Sequence, residues 1–195
     1  MKNLVIKGNS KMGKQVGIFN LPPKQTCTPT KWCLTGYDGK PRCYALRNNF
    51  LLPNVIKGAG ERFYESARRT FVAKMVREIK DKYKYVRIHS SGDFYSEEYI
   101  EKWIEIAKQC PNTLFRGTTR RIDLKDKLKE LNRLSNVIIR ESLDPTKQKA
   151  TMGLKVAMTD TVKTRRKNVL QCENDCETCG HKCWRCHCDM MFKEH

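Results

Sequence analysis

The sequence predicts an α/β fold, either a partial (β/α) barrel or an open parallel sheet. Three observations predict it. Between residues 61 and 160, short apolar runs rich in β-branched residues alternate with segments of helical periodicity. Each run is separated from the next by enough chain for a crossover helix, which a parallel pair requires. Each run also ends in a cluster of polar residues, where parallel folds of this kind place their chemistry.

The elements follow in order. From Glu61 to Tyr83, Phe63, Ala67, Phe71, Met75 and Ile79 recur at helical spacing, which predicts one helix. Tyr85-Val86-Arg87-Ile88-His89 is the first strand, stopped by Ser91-Gly92-Asp93. Ser96 followed by Glu97 and Glu98 is a helix start, and that helix runs to Cys110 before Pro111. Leu114 to Thr118 is the second strand. Asp123 is placed to cap a helix carrying Leu124, Leu128, Leu131 and Leu134. Val137-Ile138-Ile139 is the third strand and Leu154 to Met158 the fourth. Right-handed crossovers then put the helices on one side of the sheet.

The strand ends carry His89, Ser90, Ser91, Gly92 and Asp93; then Thr118 to Arg121; then Arg140, Glu141, Ser142 and Asp144; then Thr159 and Asp160. One such cluster is ordinary loop. Four at corresponding ends favour a site. Asp93 and His89 are the candidate catalytic residues.

The chain has 195 residues, enough for one domain with a core of its own, or for a domain with an appendage. No apolar run approaches the roughly 18 residues of a spanning helix, and Leu4-Val5-Ile6 is too short for a signal-peptide core, so a cytoplasmic address and no membrane partner are expected. The net charge is +18 and there are 10 cysteines. In a reducing compartment clustered thiols point to metal or redox chemistry. The basic excess calls for an anionic substrate or nucleic acid. Residues 172–195 hold six of the cysteines and carry five acids against three Lys or Arg, so the positive charge lies in the rest. Lys163, Arg165, Arg166 and Lys167 form a basic run just before. These shifts divide the chain into a core, 1–167, that includes a cysteine loop at 27–43, and a cysteine-rich tail, 168–195.

Gly8 to Lys14 imitates a phosphate-binding loop, with glycine, four residues, glycine and lysine. Position 15 is Gln where that loop needs Ser or Thr for magnesium, and Val16 to Pro23 does not read as the helix whose N-terminus would face phosphate. Nucleoside triphosphate binding is rejected on both counts.

The tail spacing is Cys172-x3-Cys176-x2-Cys179-x3-Cys183-x2-Cys186-x-Cys188. Six thiols in seventeen residues exceed what core packing explains. Zinc fingers usually separate their cysteine pairs by a dozen or more residues, so this compact run favours a [4Fe-4S] cluster, with zinc as the alternative. Cys172, Cys176, Cys179 and Cys183 are the expected ligands, with Cys186 and Cys188 as alternates. Cys27, Cys33 and Cys43 are one thiol short of a closed tetrahedral site, and three thiolates leave one iron of a cubane open to substrate or cofactor. The alternatives are three unrelated thiols, or a zinc site completed by His89 or a tail cysteine. Cys110 reads as a partly buried thiol.

Asn20-Leu21-Pro22-Pro23, the cysteine series ending Cys43-Tyr44-Ala45, Ser91-Gly92-Asp93-Phe94, Cys183-Trp184 and a terminal Phe192-x-x-His195 occur in an order that resembles the phage-associated gene product 88 family. The chain also resembles, more distantly, the radical S-adenosylmethionine enzymes. That resemblance implies a [4Fe-4S] cluster on Cys27, Cys33 and Cys43 whose fourth iron chelates S-adenosylmethionine. It also implies that Ser91, Gly92 and Asp93 support the methionine amino group, and that Ser142 and Asp144 meet the ribose or methionine part. The tail would then be an auxiliary cluster, and an electron-donor protein a partner.

Two functions are therefore expected. One is an iron–sulfur enzyme performing a redox or radical modification of a nucleic acid, a nucleotide or another anion. The alternative is a basic nucleic-acid-binding module with structural zinc or iron–sulfur sites, in which Trp32, Tyr37, Tyr44 or Trp184 stack on bases.

Overall fold

The structure, a computed structural model, describes residues 3–194. His195, part of the terminal motif above, lies outside them. The elements in chain order are β1 (Ile6–Lys7), β2 (Val16–Phe19), α1 (Lys31–Thr35), α2 (Pro53–Ala67), α3 (Phe71–Ile79), β3 (Tyr85–Ile88), α4 (Glu97–Gln109), β4 (Leu114–Thr119), α5 (Lys125–Asn132), β5 (Val137–Leu143), β6 (Lys155–Thr159), β7 (Val169–Gln171), α6 (Lys182–Arg185) and β8 (Asp189–Phe192).

All eight strands form one sheet in the order β1-β2-β3-β4-β5-β6-β8-β7. Only β1 is antiparallel to its neighbour; every other pairing is parallel. The sheet is open, which settles the barrel-or-sheet choice at the level of topology. No helix of the described residues is long and apolar enough to cross a membrane.

Helices α3, α4 and α5 lie on one face, as right-handed crossovers require. There Phe71, Met75, Ile79, Ile100, Trp103, Leu128 and Leu131 pack in one core with Phe19, Val86, Ile88, Phe115, Val137 and Ile139 from the strands. Each such burial contributes about 1.5–3 kcal/mol. The other face is covered by the cysteine-rich segment. Val16, Ile18 and Tyr85 pack there against Cys183, Trp184 and Met190. The segment read as a tail from residue 168 thus supplies β7 and β8 to the same sheet and α6 to its second face.

Several elements differ from the sequence reading. The helix expected over 61–83 is two helices. The break at Arg68–Thr70 is stabilised from outside, because Lys102 Nζ donates to the freed carbonyls of Ser66 (2.6 Å) and Arg68 (3.3 Å). Asp123 does not cap α5. It sits in a short 3₁₀ turn, Ile122–Leu124, with its carboxylate held by Arg121 at 2.6 Å. Ser96 does cap α4, accepting the Tyr99 N–H at 3.2 Å. Cys110 at the end of α4 is only 2% exposed. The largest difference is β2, a fully buried strand over residues that the sequence marked only as non-helical.

The glycine loop Gly8–Lys14 is the turn between β1 and β2. It docks the cysteine-rich segment: Lys11 O accepts the Cys176 N–H at 2.8 Å, and Met12 O lies 3.3 Å from His181 Nε2. Gly13 has φ +83°, and a Cβ there would lie 2.3 Å from the Glu177 carboxylate. The loop is used in packing against this segment.

Candidate metal and substrate site

Parallel order brings the C-terminal ends of β2, β3, β4, β5, β6 and β8 to one edge, where they border a cavity of about 720 Å³. Because β2 is the first parallel strand, the cysteine loop leaves directly from its end and folds over that opening. Cys27, Cys33 and Cys43 line the cavity, as do Cys172 and Cys176 of the tail. So do His89, Ser91, Gly92, Asp93, Ser142 and Asp144, all named from sequence. Six Lys or Arg and three acids line it, which makes the opening attractive to anions.

The loop after β3 is pinned by the end of β2. Asn20 Oδ1 accepts the N–H groups of Ser90 (2.8 Å) and Ser91 (3.2 Å), and Ser91 Oγ donates to Leu21 O at 2.9 Å. Gly92, at φ +84°, lets the start of the cysteine loop pass: a Cβ would lie 2.5 Å from Leu21 Cβ.

Asp93 is 6% exposed. One carboxylate oxygen accepts the Phe94 N–H at 2.8 Å, the other the Arg120 N–H at 3.0 Å. Burial pushes its pKa up to about 6 against those donors and the Thr119 hydroxyl, all of which favour the ionised form. The carboxylate ties β3 to β4.

His89 is 3% exposed, with Nε2 2.8 Å from Tyr99 Oη and Nδ1 without a hydrogen-bond partner. Burial pushes it down to about 3, so the ring is neutral at physiological pH.

Asp144, 1% exposed, fastens the cysteine loop to β5. Its Oδ2 accepts from Thr30 Oγ1 at 2.6 Å and pairs with Arg120 at 3.2 Å, and its Oδ1 accepts the Thr146 N–H at 2.9 Å. Thr30 is the N-cap of α1 and accepts the Cys33 N–H at 3.3 Å. Tyr44 Oη donates to Ser90 O and accepts from Arg87 at 2.9 Å, fixing the far end of the loop. Ser142 borders the cavity at the end of β5.

The thiols form two sets. Cys43 lies within electrostatic reach of both Cys27 and Cys33, and Arg120 faces Cys27 and Cys43. Burial pushes the Cys27 thiol up to about 11 and that of Cys43 upward. In the tail, Cys172, Cys176, Cys179 and Cys183 are mutual electrostatic neighbours, with Arg116 beside them. Burial raises the Cys176 thiol to about 11 and shifts that of Cys183 upward. Cys186 and Cys188 are paired with each other as a disulfide.

Among the described residues no group of three or more His, Cys, Asp or Glu side chains is gathered as a metal site. The donor chemistry of both sets still fits a soft metal. Each is a group of buried and half-buried thiols beside a guanidinium that favours the deprotonated sulfur, the ligand type that soft metals select.

Sequence reasoning gave Arg87 and Arg116 no role at the site and named Arg140 only among the polar residues of a strand end. Arg87, Arg116 and Arg140 sit one per strand on β3, β4 and β5, and Arg87 is directly paired in register with Arg116. Arg140 is 1% exposed and donates to three tail carbonyls, those of Cys183 (3.0 Å), Cys186 (2.5 Å) and Cys188 (2.9 Å). Their signal was legible: an arginine amid the apolar residues of each of three consecutive strands.

Fold and cavity define a class, an open parallel βα sheet whose strand ends carry thiols and cations around one opening. The gene product 88 family model matches residues 3–186, and the chain belongs to that family. No curated protein and no solved structure matches it. No match links it to the radical S-adenosylmethionine enzymes.

Proposed function

We propose that this protein is an iron–sulfur enzyme that carries out a redox or radical modification of an anionic substrate, a nucleotide or nucleic acid being the favoured class. The observation that carries this reading is the position of Cys27, Cys33 and Cys43. They stand in the loop that follows the first parallel strand and line the cavity at the strand ends. A [4Fe-4S] cluster held by these three thiolates would supply one-electron chemistry and an open iron at the cavity. S-adenosylmethionine is the small ligand that the distant resemblance implies.

The chain's own residues divide the remaining work. Asn20, Ser91 and Asp93 hold the β3 loop against the cysteine loop, and Asp144 with Thr30 holds its first helix. Arg87 and Arg120 place positive charge at the cavity, where a substrate carboxylate or phosphate would be held. Neutral His89 offers an unused Nδ1 beside the same opening. In this reading the tail set, Cys172, Cys176, Cys179 and Cys183, binds a second centre, with zinc as the alternative metal.

The test is an electron paramagnetic resonance spectrum of anaerobically purified, reduced protein with and without S-adenosylmethionine. A cluster signal that changes on addition, and that Cys43→Ala abolishes, supports the reading. A colourless protein that contains only zinc overturns it in favour of a metal-stabilised nucleic-acid-binding module.

A further inference from the structure

Arg87 on β3 and Arg116 on β4 are register partners on adjacent parallel strands. Such strands run about 4.8 Å apart, so the two side chains stand next to each other on one face of the sheet. Both line the cavity. Arg116 is 7% exposed, and its guanidinium carbon lies 4.2 Å from the centroid of the Trp184 ring and 5.7 Å from that of Phe192. Trp184 Nε1 donates to Val86 O at 3.2 Å, which fixes that ring against the sheet. Arg87 is half-buried and donates to Tyr44 Oη at 2.9 Å. The Nε of Arg116 has no hydrogen-bond partner, and among the described residues no carboxylate pairs with either arginine.

Two like charges side by side oppose one another, and burial adds a desolvation cost that an opposite charge in good geometry offsets. Aromatic faces offset only part of it. The acids of the cavity are not directed at the pair. Asp93 is held by backbone N–H groups, Asp144 is paired with Arg120, and Glu194 Oε1 has no partner. The thiols of Cys183, Cys176 and Cys172 reach Arg116 electrostatically, but the hydrogen-bond partner of Arg87 is the neutral Tyr44 hydroxyl. A charge that answers both arginines has to lie between them, in the cavity.

We propose that Arg87 and Arg116 form a subsite for a phosphate monoester of the substrate, carried by a nucleotide or by the phosphorylated end of a nucleic acid. A monoester bears about −1.5 to −2 charges at neutral pH and presents three strong acceptor oxygens, which suits two guanidinium forks at once. A carboxylate or an interior phosphodiester brings one charge and leaves one arginine unanswered. The cavity, about 720 Å³, has the volume of a small-molecule site. Both arginines precede the ends of their strands, so the phosphate rests on the sheet face, inward of the rim over which the cysteine loop folds. The pair binds and orients; it takes no part in bond breaking. The inference rests on the reading of this cavity as the site of an anionic substrate and needs no cluster there.

The full chain is titrated near neutral pH with phenyl phosphate, methyl phenyl phosphate and benzoate, and binding is read by calorimetry and by tryptophan fluorescence. Phenyl phosphate is expected to bind roughly 10-fold or more tightly than the other two. Arg87→Met and Arg116→Met should each weaken it roughly 10- to 100-fold and erase that preference, with Arg116→Lys, which keeps the charge but not the fork, in between. Lys193→Ala, which removes an exposed cation of the same lining, should change it about twofold at most. Thermal melting shows that the variants fold: phenyl phosphate should raise the midpoint of the wild type and of Lys193→Ala, but not of the two methionine variants. A 5′-phosphorylated oligonucleotide is then compared with its 5′-hydroxyl form. Tighter binding of the phosphorylated form supports the subsite and assigns it to a nucleic-acid end; equal binding, with phenyl phosphate still preferred, supports it and assigns it to a small phosphate monoester. Phenyl phosphate binding no better than methyl phenyl phosphate or benzoate, or a preference that survives both methionine substitutions, overturns the inference alone. If none of the three ligands binds, the reading of the cavity as an anion site falls with it.

Discussion

Thr30 Oγ1 donates to Asp144 Oδ2 at 2.6 Å, a hydrogen bond that spans 114 residues and joins the cysteine loop to the end of β5. The same hydroxyl oxygen caps α1 by accepting the Cys33 N–H. The position of one candidate metal ligand is thus coupled to a strand end through one side chain, and Arg120 completes the link to β4 at 3.2 Å.

Thr30→Val should therefore cost roughly 2 kcal/mol, since it removes a hydrogen bond to a charged group together with a helix cap. Asp144→Ala should cost more, about 3 kcal/mol, because it also strands a half-buried guanidinium. Chemical denaturation measures both. The loosened loop should also be cleaved faster by protease between Cys27 and Cys43.

Gly92 and Gly39 both have positive φ, +84° and +78°, but a Cβ at Gly39 meets nothing within 4 Å. Gly39→Ala should cost only the backbone conformation, about 1 kcal/mol. Gly92→Ala should cost at least about 2 kcal/mol more, since Leu21 and Thr26 belong to the pinned loop start. Equal costs for the two would contradict the packing described.

Asp93 gives a pH dependence with a definite sign. Its folded pKa, about 6, lies above its ordinary value of 3.8, so its protonated form suits the fold better. The stability it contributes is present below pH 4 and is lost as pH rises towards about 6, a change on the order of 3 kcal/mol. Asp93→Asn removes this dependence and loses one acceptor. The variant should be less stable than the parent at pH 4.5 and should narrow that gap at pH 7, as thermal melting would show. A gap that is constant across this range would contradict the assignment.

The basic run divides. Arg166 pairs with Asp189 of β8 at 2.9 Å, whereas Lys163, Arg165 and Lys167 are exposed. Replacing those three by alanine should leave melting unchanged. If a nucleic acid is the anionic partner, as proposed, it should also flatten the salt dependence of that binding by up to about 0.9 log units for each phosphate no longer neutralised. Arg166→Ala should lower the melting temperature.

The strands β3 to β6 were legible as apolar runs bounded by strong breakers, and α4 because its apolar periodicity runs through 13 residues behind the Ser96 cap. The polar strand ends were legible as a group, since parallel order forces them to one edge. β2 was not. Val-Gly-Ile-Phe is four residues long, has a glycine inside and prolines just after, and only its burial between β1 and β3 makes it a strand. Missing it detached the cysteine loop from the sheet. β7 and β8 were hidden for a similar reason, three and four residues long within a cysteine-rich run. Which thiols share a set is fixed by tertiary packing around Arg116 and Arg120, which no spacing along the chain encodes.

The most direct test of the account is the iron, acid-labile sulfide and zinc content per chain after anaerobic purification, for the wild-type protein and for Cys27→Ala/Cys33→Ala/Cys43→Ala. Two clusters imply about eight irons and eight sulfides in the wild type and about four of each in the variant. A protein that holds zinc without sulfide, or iron that the triple substitution leaves unchanged, would contradict the claim that the cavity thiols carry a cluster.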